Sequence, residues 1–331
     1  MNVVPLATHS NRALRETLLA HGWEVEPADA AASGGEPVAL HLTGLDDAAL
    51  EALVRYAGRL GLEVHTGDGW AVLAGPRWRL GTFARLDAAR AQADRLAEAG
   101  ARVIDVGGES TRPGREAGVP EDEELARVLP VVRAVLADHP GIVVSIDTVK
   151  SAVARVALAE GAGAINDVAA FRLDPAMAAV AAAAGAGVVL MHSRGTITEI
   201  ASYRHAEYHG DVAGAVIAEL RESIAAAVAQ GVAPEAIVVD PGLGFSKTPE
   251  QSAYLCDQLA ALRALGRPIL VGPSRKRFVG AIAGGVEPAA ERDRATAVVC
   301  ALAWERGARL FRVHDVGATR EALAVVRGIA G

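Results

Sequence analysis

Polar side chains that could bind a small molecule stand at the ends of short apolar runs along the chain. They are Asp105, Asp147, Asn166, Asp167, His192, Asp240, Ser274 and His314. Carboxylate and amide groups on neighbouring strands suit a flat heterocycle, because the edge of such a ring alternates hydrogen-bond donors and acceptors. Any one of these residues could equally cap the helix that follows it. Together they predict a small-molecule site at the carboxyl ends of the strands.

Basic side chains gather in the later loops of the chain. Only three of the 33 basic residues are lysines, and two of them, Lys247 and Lys276, stand in loops between a strand and a helix. A compact ammonium there suits a ring carbonyl or a phosphate. Arg312 and His314 are two residues apart, so on an extended strand both can face the same side. In a chain with a net charge of −7, this grouping predicts an anionic substrate or leaving group.

Two loops combine glycines with side chains that could bind a ligand. Residues 105–114 read DVGGESTRPG, and their hydroxyl groups and the Arg112 guanidinium offer hydrogen-bond donors. Residues 240–247 read DPGLGFSK and begin with a carboxylate. The glycines allow tight turns and a close approach of the backbone to a ligand. A plain turn does not need the order Glu-Ser-Thr-Arg, so the first loop indicates a functional site.

The elements that must position these residues alternate from residue 89 onward. Alanine-rich helices precede short apolar strands, which we expect at residues 103–106, 142–147, 164–167, 188–192, 237–240, 269–272 and 310–314. Continuous apolar strands are covered on both faces, which is typical of a parallel sheet with helical crossovers. Seven such units fit two kinds of α/β fold: a (β/α)8 TIM barrel that is one strand short, or a doubly wound open sheet.

Polar groups at all seven strand ends favour the barrel. In an open sheet the ligand-binding residues concentrate at one switch point, whereas every strand of a barrel points at one central mouth. The sequence also has no G-x-G-x-x-G opening a helix after a first strand. Its absence weakens the case for a dinucleotide-binding open sheet.

Residues 1–75 differ from this pattern and predict a small N-terminal α+β appendage, which leaves the barrel to residues 76–331. The elements expected in the appendage are helices at 14–21 and 46–60, a strand at 38–42, and a hairpin of 63–65 with 70–73. The segment carries no set of catalytic residues. We therefore expect a structural or oligomerisation role for it.

The composition excludes several classes of protein. The chain has 331 residues, is 51% hydrophobic and 22% charged, and so is not disordered. Its net negative charge argues against a nucleic-acid partner. Cys256 and Cys300 have neither disulfide nor metal-site spacing, which predicts a cytoplasmic setting. The uncharged stretch 175–193 is an alanine-rich run, then glycines, then a strand-like run, so we expect a buried helix and strand and no membrane partner.

The order and spacing of seven segments resemble one known family. The segments DVGGESTRPG, SIDT, IND, MHSRG, DPGLGF, GPSRKRF and RVHDV are spread over nearly all of residues 85–320 and resemble those of the dihydropteroate synthases. The resemblance implies a pterin-binding (β/α)8 barrel and a transferase of folate biosynthesis. Such an enzyme joins 6-hydroxymethyl-7,8-dihydropterin diphosphate to 4-aminobenzoate and releases pyrophosphate, with Mg²⁺ as cofactor. The resemblance also implies a cytoplasmic homodimer that is a target of sulfonamides.

The resemblance also implies a role for each matching residue. The implied catalytic residues are Asp147, Lys276 and Arg312. Those implied to bind the pterin are Asp147, Asn166, Met191, Asp240 and Lys276. Those implied to bind the aminobenzoate are Thr111, Arg112, Pro113, Phe245 and Ser274, and those implied to bind the pyrophosphate are Arg112, Arg312 and His314. Loss of pyrophosphate leaves a pterin-methyl cation, so a carboxylate in the site would stabilise charge that develops only in the transition state.

One family motif is missing. The first barrel strand of the family ends in NVTPDSF, whose asparagine takes part in metal and pyrophosphate binding, and this chain has no such segment. Either residues 70–74 serve as the first strand, or the chain lacks that strand through natural or engineered deletion. The gap leaves the metal ligands unassigned, and it predicts reduced activity with a weak dependence on magnesium.

Two alternatives to a working synthase remain open at this point. The first is a non-catalytic pterin-binding relative or an internally deleted form, which the missing loop favours. The second is a methyltetrahydrofolate-type methyltransferase on a related barrel. The STRPG and SRK loops argue against the second alternative, because they suit aminobenzoate and pyrophosphate.

Overall fold

The computed structural model describes residues 2–5, 37–43, 63–67, 70–110, 118–285 and 288–330. The chain divides into two compact units, Met1–Ala91 and Gln92–Gly331, and the division falls inside helix α1 (Arg77–Glu98). The appendage boundary after residue 75 stays a prediction. The helices expected at 14–21 and 46–60, and the loop residues Thr111, Arg112 and Pro113, lie outside the described residues.

The described strands of the first unit form an antiparallel sheet. They are β1 (Asn2–Pro5), β2 (Pro37–Thr43), β3 (Glu63–Gly67) and β4 (Trp70–Pro76), in the order β1-β2-β4-β3. Gly67 pairs with Trp70, which confirms the expected hairpin. Strand β4 pairs with β2 along its whole length. The possibility that residues 70–74 serve as the first barrel strand is therefore wrong, because their hydrogen bonds go to this sheet.

Seven parallel strands form the sheet of the second unit. They are β5 (Val103–Gly107), β6 (Val143–Asp147), β7 (Ala164–Asp167), β8 (Gly187–Met191), β9 (Ile237–Asp240), β10 (Ile269–Val271) and β11 (Ala308–Phe311). Each strand pairs with the next along the chain. Every strand expected for this sheet is present, but the last one ends at Phe311, so the expectation that Arg312 and His314 lie on it is wrong. The described residues contain no eighth strand of this sheet.

Helices connect these strands. They are α2 (Glu121–Asp138), α3 (Ser151–Ala159), α4 (Met177–Ala184), α5 (Val212–Ala229), α6 (Pro249–Asp257), α7 (Arg277–Ile282), α8 (Asp293–Glu305) and, after the last strand, α9 (Val316–Ala330). Short 3-10 helices lie at Pro234–Ala236, Gln258–Leu265 and Ala289–Arg292. The uncharged stretch 175–193 forms α4 and β8, as expected. No helix among the described residues is long and apolar enough to cross a membrane.

The two edge strands of the parallel sheet meet at their carboxyl ends. Arg312, directly after β11, donates from Nη1 to Oδ2 of Asp105 in β5 at 3.2 Å. A contact between the first and last strands requires the sheet to curl almost into a closed ring. The fold of the second unit is therefore that of a TIM barrel with one strand absent from the described residues, and the doubly wound open sheet is wrong.

Local capping places helix α6 directly after the DPGLGFSK loop. The Thr248 hydroxyl accepts a hydrogen bond from the Gln251 backbone at 3.2 Å, and the Gln251 side chain accepts one from the Thr248 backbone at 2.9 Å. This reciprocal cap satisfies two backbone groups that the first helical turn leaves unpaired, and Pro249 fits that turn. The sequence thus fixes where the loop ends.

Candidate active site

Three strand ends bring an aspartate, a second aspartate and an asparagine together. In the register of the sheet, Asp147 lies beside Asn166 on one side and Gly107 on the other. The Asn166 side-chain amide donates to Asp105 Oδ2 at 2.8 Å. Neighbouring parallel strands have their carboxyl ends at the same edge of the sheet. Polar residues towards those ends therefore lie close to one another.

Arg312 holds two of these carboxylates. Its Nη1 lies 3.2 Å from Asp105 Oδ2 and 3.2 Å from Asp147 Oδ2. Burial disfavours the charge of a guanidinium, but the surrounding carboxylates Asp105, Asp147 and Asp240 outweigh burial and raise the pKa of Arg312 above its ordinary value. The group is a permanent cation at the mouth of the barrel.

Burial raises the pKa of two carboxyl groups of the site, those of Asp147 and Asp240. Burial, and then the charge of Asp105, raise the pKa of Asp147 to about 7, although Arg312 opposes the shift. Burial also raises the pKa of Asp240, against the opposing charges of Lys276 and Arg312. Asp147 therefore gains or loses its proton near neutral pH. Its negative charge, and any stabilisation that this charge gives to a cation, depends on pH in that range.

A second cation and an aromatic ring come together from two loops, since Phe245 follows β9 and Lys276 follows β10. The Lys276 ammonium donates to the Leu243 carbonyl and lies 4.3 Å from the centre of the Phe245 ring. Burial lowers the pKa of Lys276 to about 7, although Asp240 opposes the shift. The backbone of Gly244 has φ +78°, and a Cβ there would lie 3.1 Å from Lys276 Cδ. Only glycine suits both the backbone and the lysine that crosses it.

Ser274 and His314 form a hydrogen-bonded pair at the neighbouring strand ends. The His314 backbone donates to Ser274 Oγ at 3.1 Å, and the same oxygen lies 2.8 Å from His314 Nδ1. A hydroxyl has one proton, so a serine that accepts from the backbone can still donate to the ring. The pair orients the imidazole at the end of the last strand.

The structure brings together most of the residues that the sequence singled out. Asp147, Asn166 and Arg312 are linked through Asp105, and Asp240 and Lys276 interact electrostatically with Arg312. Met191 is different, because it is fully buried in an apolar cluster with Phe245. Its direct contact with a pterin stays a prediction, as do the ligand roles of the other residues.

Sequence reasoning placed two residues differently from the structure. Asp105 is a central acceptor of the site; the sequence pattern included it among the polar groups of the strands, but the family resemblance gave it no role. Lys247 was expected at the mouth, yet it is fully buried and bonds His192. The two ring nitrogens of His192 bond Lys247 and Glu219.

A curled parallel sheet with carboxylates and cations at its mouth is the architecture of the pterin-binding enzymes. The model of the pterin binding enzyme family matches residues 76–314, and the chain belongs to that family. The chain is 48% identical over 231 residues to the dihydropteroate synthase of Mycobacterium leprae, which covers 69% of this chain and 80% of the relative. The particular activity within the family is thus dihydropteroate synthesis, and the chain is a transferase.

Solved structures agree with this assignment. The dihydropteroate synthase of Xanthomonas albilineans with 4-aminobenzoic acid matches at a TM-score of 0.69 and 41% identity, covering 74% of this chain and 85% of that one. The Yersinia pestis enzyme in a sulfonamide complex matches at 0.69 and 38%, covering 74% and 86%. Neither the non-catalytic relative nor the methyltransferase is favoured by these comparisons.

Proposed function

We propose that the site at the mouth of this barrel joins 6-hydroxymethyl-7,8-dihydropterin diphosphate to 4-aminobenzoate. The observation that carries the proposal is the convergence of Asp105 and Asp147 on Arg312 at the barrel mouth, with Asn166 bonded to Asp105. A pterin ring presents N–H donors and a carbonyl along one edge. Asp240 would accept hydrogen bonds from those donors, and Lys276 would donate one to the carbonyl. In these contacts Asp240 acts as a carboxylate and Lys276 as an ammonium group.

The chemistry follows from where charge develops. The bond from the pterin methylene to the pyrophosphate oxygen breaks, and the electron pair leaves with the pyrophosphate. The methylene carbon becomes cationic, and the ionised Asp147 stabilises that charge more in the transition state than in the ground state. The aminobenzoate nitrogen then bonds to this carbon and releases one proton. Binding both substrates side by side supplies the remaining acceleration through proximity.

The two remaining subsites would be formed by loops. Arg312, His314 and Arg112 would bind the pyrophosphate, for which a guanidinium offers paired donors. Ser274, Phe245, Thr111, Arg112 and Pro113 would form the aminobenzoate pocket. In support, Ser274 of the aminobenzoate group bonds His314 of the pyrophosphate group, and Phe245 of the aminobenzoate group lies beside the Lys276 ammonium of the pterin group.

Magnesium is the cofactor that the resemblance implies, and the described residues do not fit it. Within them, no group of three or more His, Cys, Asp or Glu side chains is placed to hold a metal ion. The two carboxylates nearest the mouth, Asp105 and Asp147, already bond the Arg312 guanidinium. Mg²⁺ needs octahedral oxygen ligands, and a carboxylate paired with arginine is a poor one. We therefore propose that cationic side chains of the protein, rather than a metal ion, neutralise the charge of the departing pyrophosphate.

Three wider features belong to the same proposal. Exposed apolar side chains on α7, α8 and α9, namely Ile282, Val298, Leu302 and Val325, support a homodimer that buries them. The free, buried Cys256 and Cys300 support a cytoplasmic location. We place residues 1–75 in a separate N-terminal appendage whose role is structural or in oligomerisation.

The proposed function is tested by supplying purified protein with both substrates. We expect dihydropteroate and pyrophosphate in equal amounts. We expect EDTA to lower the rate by less than about tenfold, because arginine and histidine, rather than a protein-held metal, receive the leaving group. Product analysis by chromatography measures both. Absence of dihydropteroate would overturn the function, whereas product formation that EDTA abolishes would overturn only the assignment of charge to protein cations.

A sulfonamide that mimics 4-aminobenzoate should compete with 4-aminobenzoate and not with the pterin substrate. The expected pocket beside Phe245 and Ser274 accepts a planar amine with an acidic group, and it lies next to the pterin groups rather than among them. Inhibition kinetics with each substrate varied in turn measure this. Calorimetry should also show sulfonamide binding only after the pterin diphosphate is present. Competition against the pterin would mean that the aminobenzoate pocket lies elsewhere.

A further inference from the structure

Lys247 is a fully buried lysine with three polar partners. Its ammonium nitrogen lies 3.2 Å from the Gly242 carbonyl, 3.0 Å from the Phe245 carbonyl and 2.9 Å from His192 Nδ1. An ammonium has three N–H donors and no acceptor, so three acceptors are what its charged form requires. A lysine buried in this way is expensive unless each donor is used.

The partners of His192 extend this arrangement to the surface. Because the Lys247 ammonium can only donate, His192 Nδ1 must accept, and the ring proton must lie on Nε2. Nε2 lies 3.0 Å from Glu219 Oε2, so it donates to that carboxylate. Burial, and then the charge of Lys247, lower the pKa of His192 to about 4, which keeps the ring neutral. Arg194 also bonds Glu219 and holds it in place.

The two carbonyls that Lys247 binds belong to the segment 242–245. This segment follows Asp240, which is assigned to the pterin, and ends at Phe245, which is assigned to the aminobenzoate. Lys276 also holds this segment, since its ammonium donates to the Leu243 carbonyl. The segment also lies tightly on His192, since a Cβ at Gly242 would be 1.9 Å from the His192 carbonyl oxygen. The position of the Phe245 ring therefore depends on a lysine that does not itself face the mouth.

We propose that Lys247, oriented by His192 and Glu219, is a positioning residue that fixes segment 242–245 for binding of 4-aminobenzoate. This inference rests on the proposed function and adds to it a specificity role for residues outside the ligand pocket. Asp240 precedes the segment and accepts from the backbone of its first residue, Gly242, at 2.7 Å, whereas Lys247 bonds the carbonyl of Phe245 itself, on the aminobenzoate side. Loss of Lys247 therefore affects the aminobenzoate side more than the pterin side.

The protonation state of Lys247 adds a pH dependence by which the proposal can be tested. Burial lowers the pKa of Lys247 to about 7, although Asp240 opposes the shift. Above that pH the neutral amine has two donors for three acceptors, so one of its three contacts, to the segment or to His192, is lost together with the charge. The ionisable groups that face or influence Lys247 are Asp240, Lys276, Glu219, Arg194, His192 and Tyr208.

The experiment measures the KM for 4-aminobenzoate at saturating pterin diphosphate in the full chain. Lys247→Met should raise this KM about tenfold and lower kcat less than threefold, because a hydrogen-bonded charge is lost from the loop. The dissociation constant of the pterin substrate, measured by calorimetry, should change less than twofold. In the wild type the same KM should rise as the pH passes about 7, and this rise should be absent in Lys247→Met.

Two further variants keep the test decisive if Lys247→Met does not fold. Glu219→Gln, at a partly exposed position, should raise the aminobenzoate KM about threefold, and it should add nothing when combined with Lys247→Met. Glu222→Gln, one turn along the same helix and exposed, is the matched control and should match the wild type. An unchanged aminobenzoate KM in Glu219→Gln, equal effects on both substrates, or a pH rise that survives in Lys247→Met would overturn the inference. Failure of the wild type to make dihydropteroate would instead overturn the function.

Discussion

Replacement of Asp147 by asparagine should lower kcat by about a hundredfold or more. Asparagine keeps the size of the side chain but removes the negative charge that stabilises the pterin-methyl cation, and a lost electrostatic group of this kind costs about 3 kcal/mol in the transition state. Steady-state rates of dihydropteroate formation measure the change. Asp122→Asn, an exposed carboxylate in the first turn of α2, is the control and should match the wild type.

The same variant should alter the pH profile in a defined way. The pKa of Asp147 is raised to about 7, so below that pH the neutral acid dominates and kcat/KM for the pterin substrate should rise with pH. Above about 7, the loss of the Lys276 ammonium should make it fall. Asp147→Asn should abolish the rising limb and keep the falling one. Near wild-type turnover with an unchanged profile would remove Asp147 from the mechanism.

Replacement of Arg312 by glutamine should lower kcat/KM for the pterin diphosphate by about a thousandfold, equivalent to about 4 kcal/mol. The variant loses the cation proposed to receive the pyrophosphate, and it leaves Asp105 and Asp147 facing each other without the charge that both now bond. Initial rates at low pterin concentration measure this loss. Thermal melting of the same sample establishes the folded fraction.

Product inhibition separates the ligand role of Arg312 from its structural one. If Arg312 binds pyrophosphate, added pyrophosphate should inhibit Arg312→Gln at least tenfold more weakly than the wild type. Arg309→Gln, in β11 three residues before Arg312 but exposed and bonded to the Trp304 carbonyl, should leave both rate and inhibition unchanged. Undiminished inhibition in Arg312→Gln would assign the pyrophosphate to other groups.

The sequence by itself determined the second unit of this protein in some detail. Each apolar strand of the parallel sheet was placed from its own residues, because continuous runs and flanking glycines are local features. The polar strand ends were also visible, since in a barrel each strand end leads to the same mouth whatever the details of packing. Asp147, Asn166 and Arg312 were found in this way, and the order of the motifs gave the family.

Only the tertiary structure decided which partners those local elements take. Residues 70–76 form a strand either way, but their pairing with Pro37–Thr43 is set by a segment far away in sequence, and this pairing excludes them from the barrel. The roles of Asp105 and Lys247 were decided in the same manner, because a central acceptor and a buried anchor differ only in what surrounds them. Residue type and spacing indicate that a group can do chemistry, whereas burial and contacts from distant parts of the chain decide whether it meets the substrate or holds a loop.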